Sequence, residues 1–340
     1  MEKFYLQSLS NAEKSLALKR LTALWAFMEC GVGGLMHTFK FPFTGLIVGG
    51  FAVLIVTLIS KISHNHLSEI FKSLVVVLIV KLSLSPQSPF TAYIAVVFQA
   101  TLGYWIYMAF NVNKYSIVLL SVVCMLESAL QKLLVLTIFF GQDLWTAIDK
   151  FINSISTSVF FLNNKASFII ISVYLSIYAV GGLFIGYLIS KLISNDTIEY
   201  KKIPIVHDQQ NDIKIIKKKK YNKIIAAVLL MIIVCTYLYF YNTKNTFTAI
   251  LKYILFTTSL IWIWFTIISP FLINTINKLL QSKKEKYKDE LIYIFNILPY
   301  FKPIFISVWK ESKQLKGKQR ILFFIQNVLI HSIIFNPKDK

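Results

Sequence analysis

Residues 43–59 carry no charged side chain at all, and that run limits the chain more than any other feature. In water, a segment so uniformly apolar has to be buried on every side. In a bilayer, a helix of about 20 such residues crosses about 30 Å of hydrocarbon. Similar runs recur. Residues 21–39 contain only Glu29 and His37 as potentially charged groups. Over the whole chain 56% of residues are apolar, 15% are charged and the mean hydropathy is +0.62, against about 25% charged in ordinary globular domains. The runs do not alternate polar with apolar, as barrel strands of about 10 residues would. An all-α, polytopic bundle in a membrane follows.

Spans are expected near residues 21–39, 43–60, 69–85, 90–110, 115–140 and 167–190, and again near 222–241 and 248–272, about eight in total. The first run follows Lys3, Lys14, Lys19 and Arg20 and reads as an uncleaved span. The division expected along the chain is a six-span unit (1–192), a basic linker (193–221), a two-span unit (222–272) and an amphipathic tail (273–340). The tail segments 291–306 and 321–335 are apolar but interrupted, by Pro299, Lys302 and Pro303 in the first and by Gln326, Asn327 and His331 in the second. They suit interfacial helices or a docking surface, with 320–335 a short candidate for a further span.

The net charge of +20 could suggest nucleic acid. However, the lysines gather in loops beside apolar runs, where they mark the cytoplasmic side and meet anionic lipid. The N-terminus, the loop at 61–66, Lys114, the linker and the run 283–288 all fall on one side of an eight-span chain. Lys40, Lys150 and Lys165 dissent. Both termini are therefore expected in the cytoplasm of a bacterial cell, with the chain in its inner or plasma membrane. Nucleic acid is not expected as a partner.

Polar residues inside apolar runs are the candidates for function, because a charge at membrane depth costs about 3 kcal/mol on insertion scales. Glu29 either lines a ligand site or holds helices together as a paired or protonated acid. Glu127 and Gln131 lie four residues apart on one helix face, with Lys132 offset from it. They suit directional hydrogen bonds to a polar solute, or an internal network in which Lys81 or Lys132 neutralises Glu127. The turn at 37–45 combines His37, Lys40, Pro42 and Thr44 with three phenylalanines, as a lid over an outward pocket would, although interfacial anchoring explains the same residues. Gln99, Tyr104 and Asn111 add hydrogen-bonding groups, and Gln87 a weaker one. Thr22, Ala26, Cys30 and Gly34 recur every four residues, as do Gly45 with Gly49, and Gly182, Gly186 and Ser190. Such faces let helix backbones approach closely.

Catalytic signatures are missing from the sequence. HExxH, GxSxG and P-loop patterns do not occur, and the five histidines are scattered. The three cysteines, Cys30, Cys124 and Cys235, have no metal-ligand spacing. Neither an enzyme, nor a metal, nor a cofactor is expected.

The six-span region, above all residues 29–50 (ECGVGGLMHTFKFPFTGLIVGG), resembles the substrate-binding S components of energy-coupling factor transporters. That resemblance implies six helices around a pocket for a small vitamin-like solute, covered by the loop between helices one and two. Lys40 and Thr44 would then belong to the cover, Glu127 and Gln131 to the lining, and Ala26, Cys30 and Gly34 to a face that meets a membrane-embedded T component. Residues 298–317 (LPYFKPIFISVWKESKQLKG), followed by Lys318 and Arg320, look loosely similar to the end of such a T component, which grips a cytoplasmic ATPase. Solute uptake is the leading expectation. A membrane scaffold or assembly factor, and an intramembrane lipid-modifying enzyme, are the alternatives.

Overall fold

The computed structural model describes residues 2–5, 9–39, 43–63, 66–85, 88–155, 166–193, 197–204, 255–256, 258–259 and 262–335. Lys40, Gln87, the span expected at 222–241 and residues 248–254, 257, 260 and 261 of that expected at 248–272 lie outside the described residues. The chain divides into two compact units. The first takes in Met1–Gln131, Ile171–Asp208 and Asn277–Lys340, and the second Lys132–Ile170 and Gln209–Ile276.

The first unit begins with strand β1 (Glu2–Tyr5) and helix α1 (Asn11–Phe27). A reciprocal cap starts α1: Ser10 accepts from the Glu13 amide while the Glu13 carboxylate accepts from the Ser10 amide. The helix runs on through a π-helical turn, Met28–Val32, into α2 (Gly33–Thr38). Then come α3 (Thr44–Ile62), α4 (His66–Leu84), α5 (Phe90–Phe110), α6 (Lys114–Ile155) and α7 (Ala166–Ile193). Asn113 starts α6 by accepting from the amides of Tyr115 and Ser116.

Strand β2 (Thr197–Tyr200) lies within the segment expected to be a linker. It pairs antiparallel with β1, Glu2 opposite Tyr200 and Tyr5 opposite Thr197. Helices α8 (Ser269–Lys286), α9 (Lys288–Ser312) and α10 (Gly317–Ile334) follow. α9 is continuous through Pro299 and Pro303, where the sequence suggested an interrupted segment.

Helix α3 is the hub, packing on α1, α4 and α5, and it buries most of its length. Its Thr57 hydroxyl donates to the Val53 carbonyl and meets the Tyr107 hydroxyl at 2.5 Å, so neither polar group faces hydrocarbon unpaired. α1 also packs on α4, α9 and α10, and α9 on α10. The buried Arg20 joins them, donating to the Tyr293 hydroxyl at 3.0 Å and to the Ile333 carbonyl.

α7 is built the opposite way from a water-soluble helix. Gly182 and Gly186 sit against α6: a Cβ on either would come 2.7 Å from the Cα of Val122 or Val118. Val173, Ile177, Val180, Phe184 and Tyr187 form an exposed apolar stripe at three- and four-residue spacing. Small residues inside and large apolar ones outside is the pattern of a lipid-facing helix. By length and composition α3, α5, α6, α7 and α9 can each cross a membrane. Among the described residues the fold is thus all-helical apart from the short ribbon, as a polytopic membrane bundle requires.

In the second unit α6 breaks at Gly141 (φ 66°), a left-handed backbone that glycine adopts without penalty. Asp149 accepts from the backbone and hydroxyl of Ser167, and Phe139 meets Trp264 edge-on.

Candidate functional site

Two polar clusters lie among the apolar helices of the first unit. The first is ionic. The π-helical turn that ends α1 carries Glu29 against α4, where Lys81 Nζ lies 2.6 Å from its carboxylate. The two side chains are only 5% and 3% exposed. Lys81 also donates to the Ala92 carbonyl at 3.3 Å and stands over the Tyr93 ring. Ser85 reaches back to the Cys30 carbonyl, and Tyr93 to that of Ser85. Every charge in this cluster is thereby met from within. Ala26 is fully buried, and Gly34 faces Ser85, so both lie against other parts of the same unit.

The second cluster is neutral at its centre and incompletely bonded. Gly45 and Gly49, one turn apart on α3, leave space that α5, α6 and α7 fill. A Cβ at Gly49 would lie 3.2 Å from Gln99 Nε2 and 3.0 Å from the Met125 methyl. One at Gly45 would lie 2.8 Å from Ser128 and 3.6 Å from the Tyr178 ring. Tyr178 stacks at a tilt on Phe43 and on Tyr174, so the aromatic wall continues along α7 and over the start of α3. Gln99 is 3% exposed, and its Oε1 has no hydrogen-bond partner among the described residues; the hydroxyls of Tyr174 and Tyr178 interact with each other.

Glu127, one residue before Ser128, accepts from Gln131 through Oε1 and keeps a buried Oε2 without a partner among the described residues. An unsatisfied buried polar atom costs about 1–3 kcal/mol, and lipid around the bundle supplies no water in compensation.

The structure therefore separates the residues singled out in the sequence. Glu29 belongs with Lys81, and the lysine considered for Glu127 is taken by Glu29. Thr44 is buried at the start of α3, beside Gly45, and Gln99 lies against the same helix one turn on. Glu127 and Gln131 are bonded to each other, and Lys132 is exposed. Lys40 lies outside the described residues. Tyr174, Tyr178 and Ser128 escaped the sequence reading. Their signal was present in the four-residue step from Tyr174 to Tyr178, continuing to Gly182 and Gly186.

Chemically, the second cluster offers hydroxyls, a carboxamide oxygen and one carboxylate oxygen in an apolar setting. It suits holding a small polar molecule by directional hydrogen bonds. Among the described residues no three His, Cys, Asp or Glu side chains group as metal ligands would. The chain matches no protein-family model, no curated protein and no solved structure.

Proposed function

We propose that this chain is a membrane transport protein whose first unit binds a small, polar, vitamin-like solute for uptake. The observation that carries the reading is a pair of buried polar atoms without partners among the described residues, Gln99 Oε1 and Glu127 Oε2, near two tyrosines, Tyr174 and Tyr178, whose hydroxyls interact with each other. A helix bundle that used polar residues only for packing would pair them, as it pairs Glu29 with Lys81 and Thr57 with Tyr107. Gln99, Ser128 and the Tyr178 ring lie against Gly49 and Gly45, which supports one binding locus between α3, α5, α6 and α7.

The kinship with S components of energy-coupling factor transporters belongs to this proposal. So do a T-component-like membrane subunit and a cytoplasmic ATPase as partners, anionic lipids around a bacterial inner or plasma membrane, and both termini in the cytoplasm. One observation favours a second reading, a non-enzymatic scaffold or assembly factor: the Glu29–Lys81 cluster is saturated from within and offers a ligand nothing.

Native mass spectrometry of the gently extracted protein tests the two against each other. Transport predicts a small-molecule adduct that is lost in a Gln99→Leu, Tyr178→Phe variant which still folds. If wild type carries no adduct and that variant is simply more stable, while other membrane proteins co-purify, the scaffold reading replaces it.

A further inference from the structure

Gln99 Oε1 and Glu127 Oε2 are alike in one respect: a carboxamide oxygen and an ionised carboxylate oxygen accept hydrogen bonds and have no proton to give. Each is buried without a partner among the described residues. Whatever satisfies them has to bring N–H or O–H groups. A solute that offers lone pairs alone would be repelled.

The two acceptors lie on facing helices. α5 and α6 form a hairpin joined by residues 111–113, so they run antiparallel. A Cβ on Gly103 of α5 would stand 3.5 Å from Leu120 of α6. Leu120, Cys124 and Glu127 follow one another at four- and three-residue steps along that face of α6. Gln99 lies one turn back along α5, the direction that leads along α6 toward Glu127. Gln99 and the Met125 methyl also meet at Gly49.

Charge decides what kind of donor fits. Among the described residues no cation pairs with Glu127: Lys81 is held by Glu29 at 2.6 Å, and Lys132 is exposed. A carboxylate at membrane depth is costly unless a partner or a cavity receives it. A hard metal ion does not suit that place. Such ions take about six oxygens, and no three His, Cys, Asp or Glu side chains gather among the described residues. An organic cation needs fewer contacts and gains from aromatic faces. The Tyr178 ring supplies one, 3.6 Å from where a Cβ at Gly45 would be, with Tyr174 and Phe43 at 5.0 and 6.0 Å between ring centres. Phe43 is 38% exposed and holds a left-handed backbone (φ 63°), a strained position for a residue with a side chain. It is the part of this wall best placed to give way to an entering ligand.

We propose that the solute bound between α3, α5, α6 and α7 is a small organic ammonium or amidinium ion, whose N–H groups donate to Gln99 Oε1 and Glu127 Oε2 beside the Tyr178 ring. The assignment rests on the solute-binding reading and adds to it the sign of the ligand's charge.

The test uses the full chain in detergent and four matched probes. Benzylamine, benzyl alcohol and benzoate share a ring and differ in charge. Benzyltrimethylammonium keeps the positive charge and has no N–H. Binding is read as a saturable shift of the thermal midpoint, with adducts counted by native mass spectrometry. Benzylamine should bind most tightly of the four. Glu127→Gln, which removes the charge and keeps the shape, should weaken it about tenfold, the loss expected for one charge-assisted hydrogen bond. The same variant should bind benzyl alcohol as wild type does, which shows that its fold is intact. Gln99→Leu should weaken benzylamine as well, so the proposal stays open to failure through a second residue. Lys132→Gln should change nothing.

Equal binding of benzyl alcohol, benzoate or benzyltrimethylammonium overturns the cation and its donors while leaving a solute site in place. Benzylamine binding that neither Glu127→Gln nor Gln99→Leu weakens also overturns it. So does the absence of saturable binding by every probe. The parent reading is judged separately, by the adduct that the purified wild type carries. A neutral or anionic adduct keeps that reading and overturns this one.

Discussion

Lys81 and Glu29 face each other where water cannot reach, and the cost of separating them is asymmetric. Removing one partner strands a buried charge, at about 3–5 kcal/mol, whereas replacing both with apolar side chains of similar size is often neutral or better. Lys81→Met should accordingly lower the unfolding midpoint sharply in detergent, and Glu29→Leu combined with Lys81→Met should recover most of the loss. A double variant no more stable than the single one would mean that the pair shapes the π-helical turn in some further way. The sequence marked Glu29 as costly and named pairing as one outcome. It did not reveal the partner, because Lys81 is 52 residues away on another helix. Gln99 was legible for a simpler reason: a lone amide in an apolar run has few reasons to be there. The tyrosines were not, because a tyrosine in such a run is unremarkable until its ring is seen against Gly45.

At the scale of elements, the ribbon and the last helix form a latch. The Lys201 amide donates to Asn327 at 2.8 Å, its carbonyl meets His331 Nε2 at 2.9 Å, and its ammonium pairs with Glu311. The Tyr200 ring meets His331 edge-on. Burial holds the His331 imidazole below its ordinary range, partly offset by the Lys201 carbonyl. The folded state therefore takes up a proton less readily than the unfolded one. The latch is at full strength above the ordinary histidine value of about 6.5, and stability falls as pH drops through the lower folded value. Between pH 7 and pH 5 the wild-type midpoint should fall more steeply than that of His331→Gln, which keeps a donor for Lys201 without titrating. Equal slopes would remove His331 from the latch. None of this could be read in advance, since four strand residues in a polar segment carry no periodicity and their partners lie at the other end of the chain. α9 was obscured differently. Pro299 and Pro303 read as breaks, yet Ile297, Leu298, Phe301, Ile304 and Val308 are all buried along it. Tertiary packing there outweighs the local cost of proline. α3, with no charge before Lys61 in its last turn, was legible almost to the residue.

For the whole molecule, the ribbon fixes a parity. Tyr5 and Thr197 are paired backbone to backbone, so they lie on the same side of any membrane the chain crosses. The number of crossings between them must then be even. Among the described residues six helices stand between them: α1 with its continuation α2, then α3, α4, α5, α6 (broken at Gly141) and α7. If each rod crosses once the count is satisfied, and the basic residues at 61, 114 and 201–202 fall with the N-terminus, as the distribution of charge in the sequence required. The claim is open to cysteine labelling with an impermeant maleimide, in a background where Cys30, Cys124 and Cys235 are alanine. Tyr5→Cys, Lys114→Cys and Lys202→Cys should react from one face, and Leu84→Cys, at the far end of α4, from the other. Tyr5 and Lys202 on opposite faces would break the ribbon itself. Lys114 on the face of Leu84 would mean that α5 does not cross, and the polar cluster around Gln99 would then lie outside the hydrocarbon, where water could satisfy it and no solute would be needed.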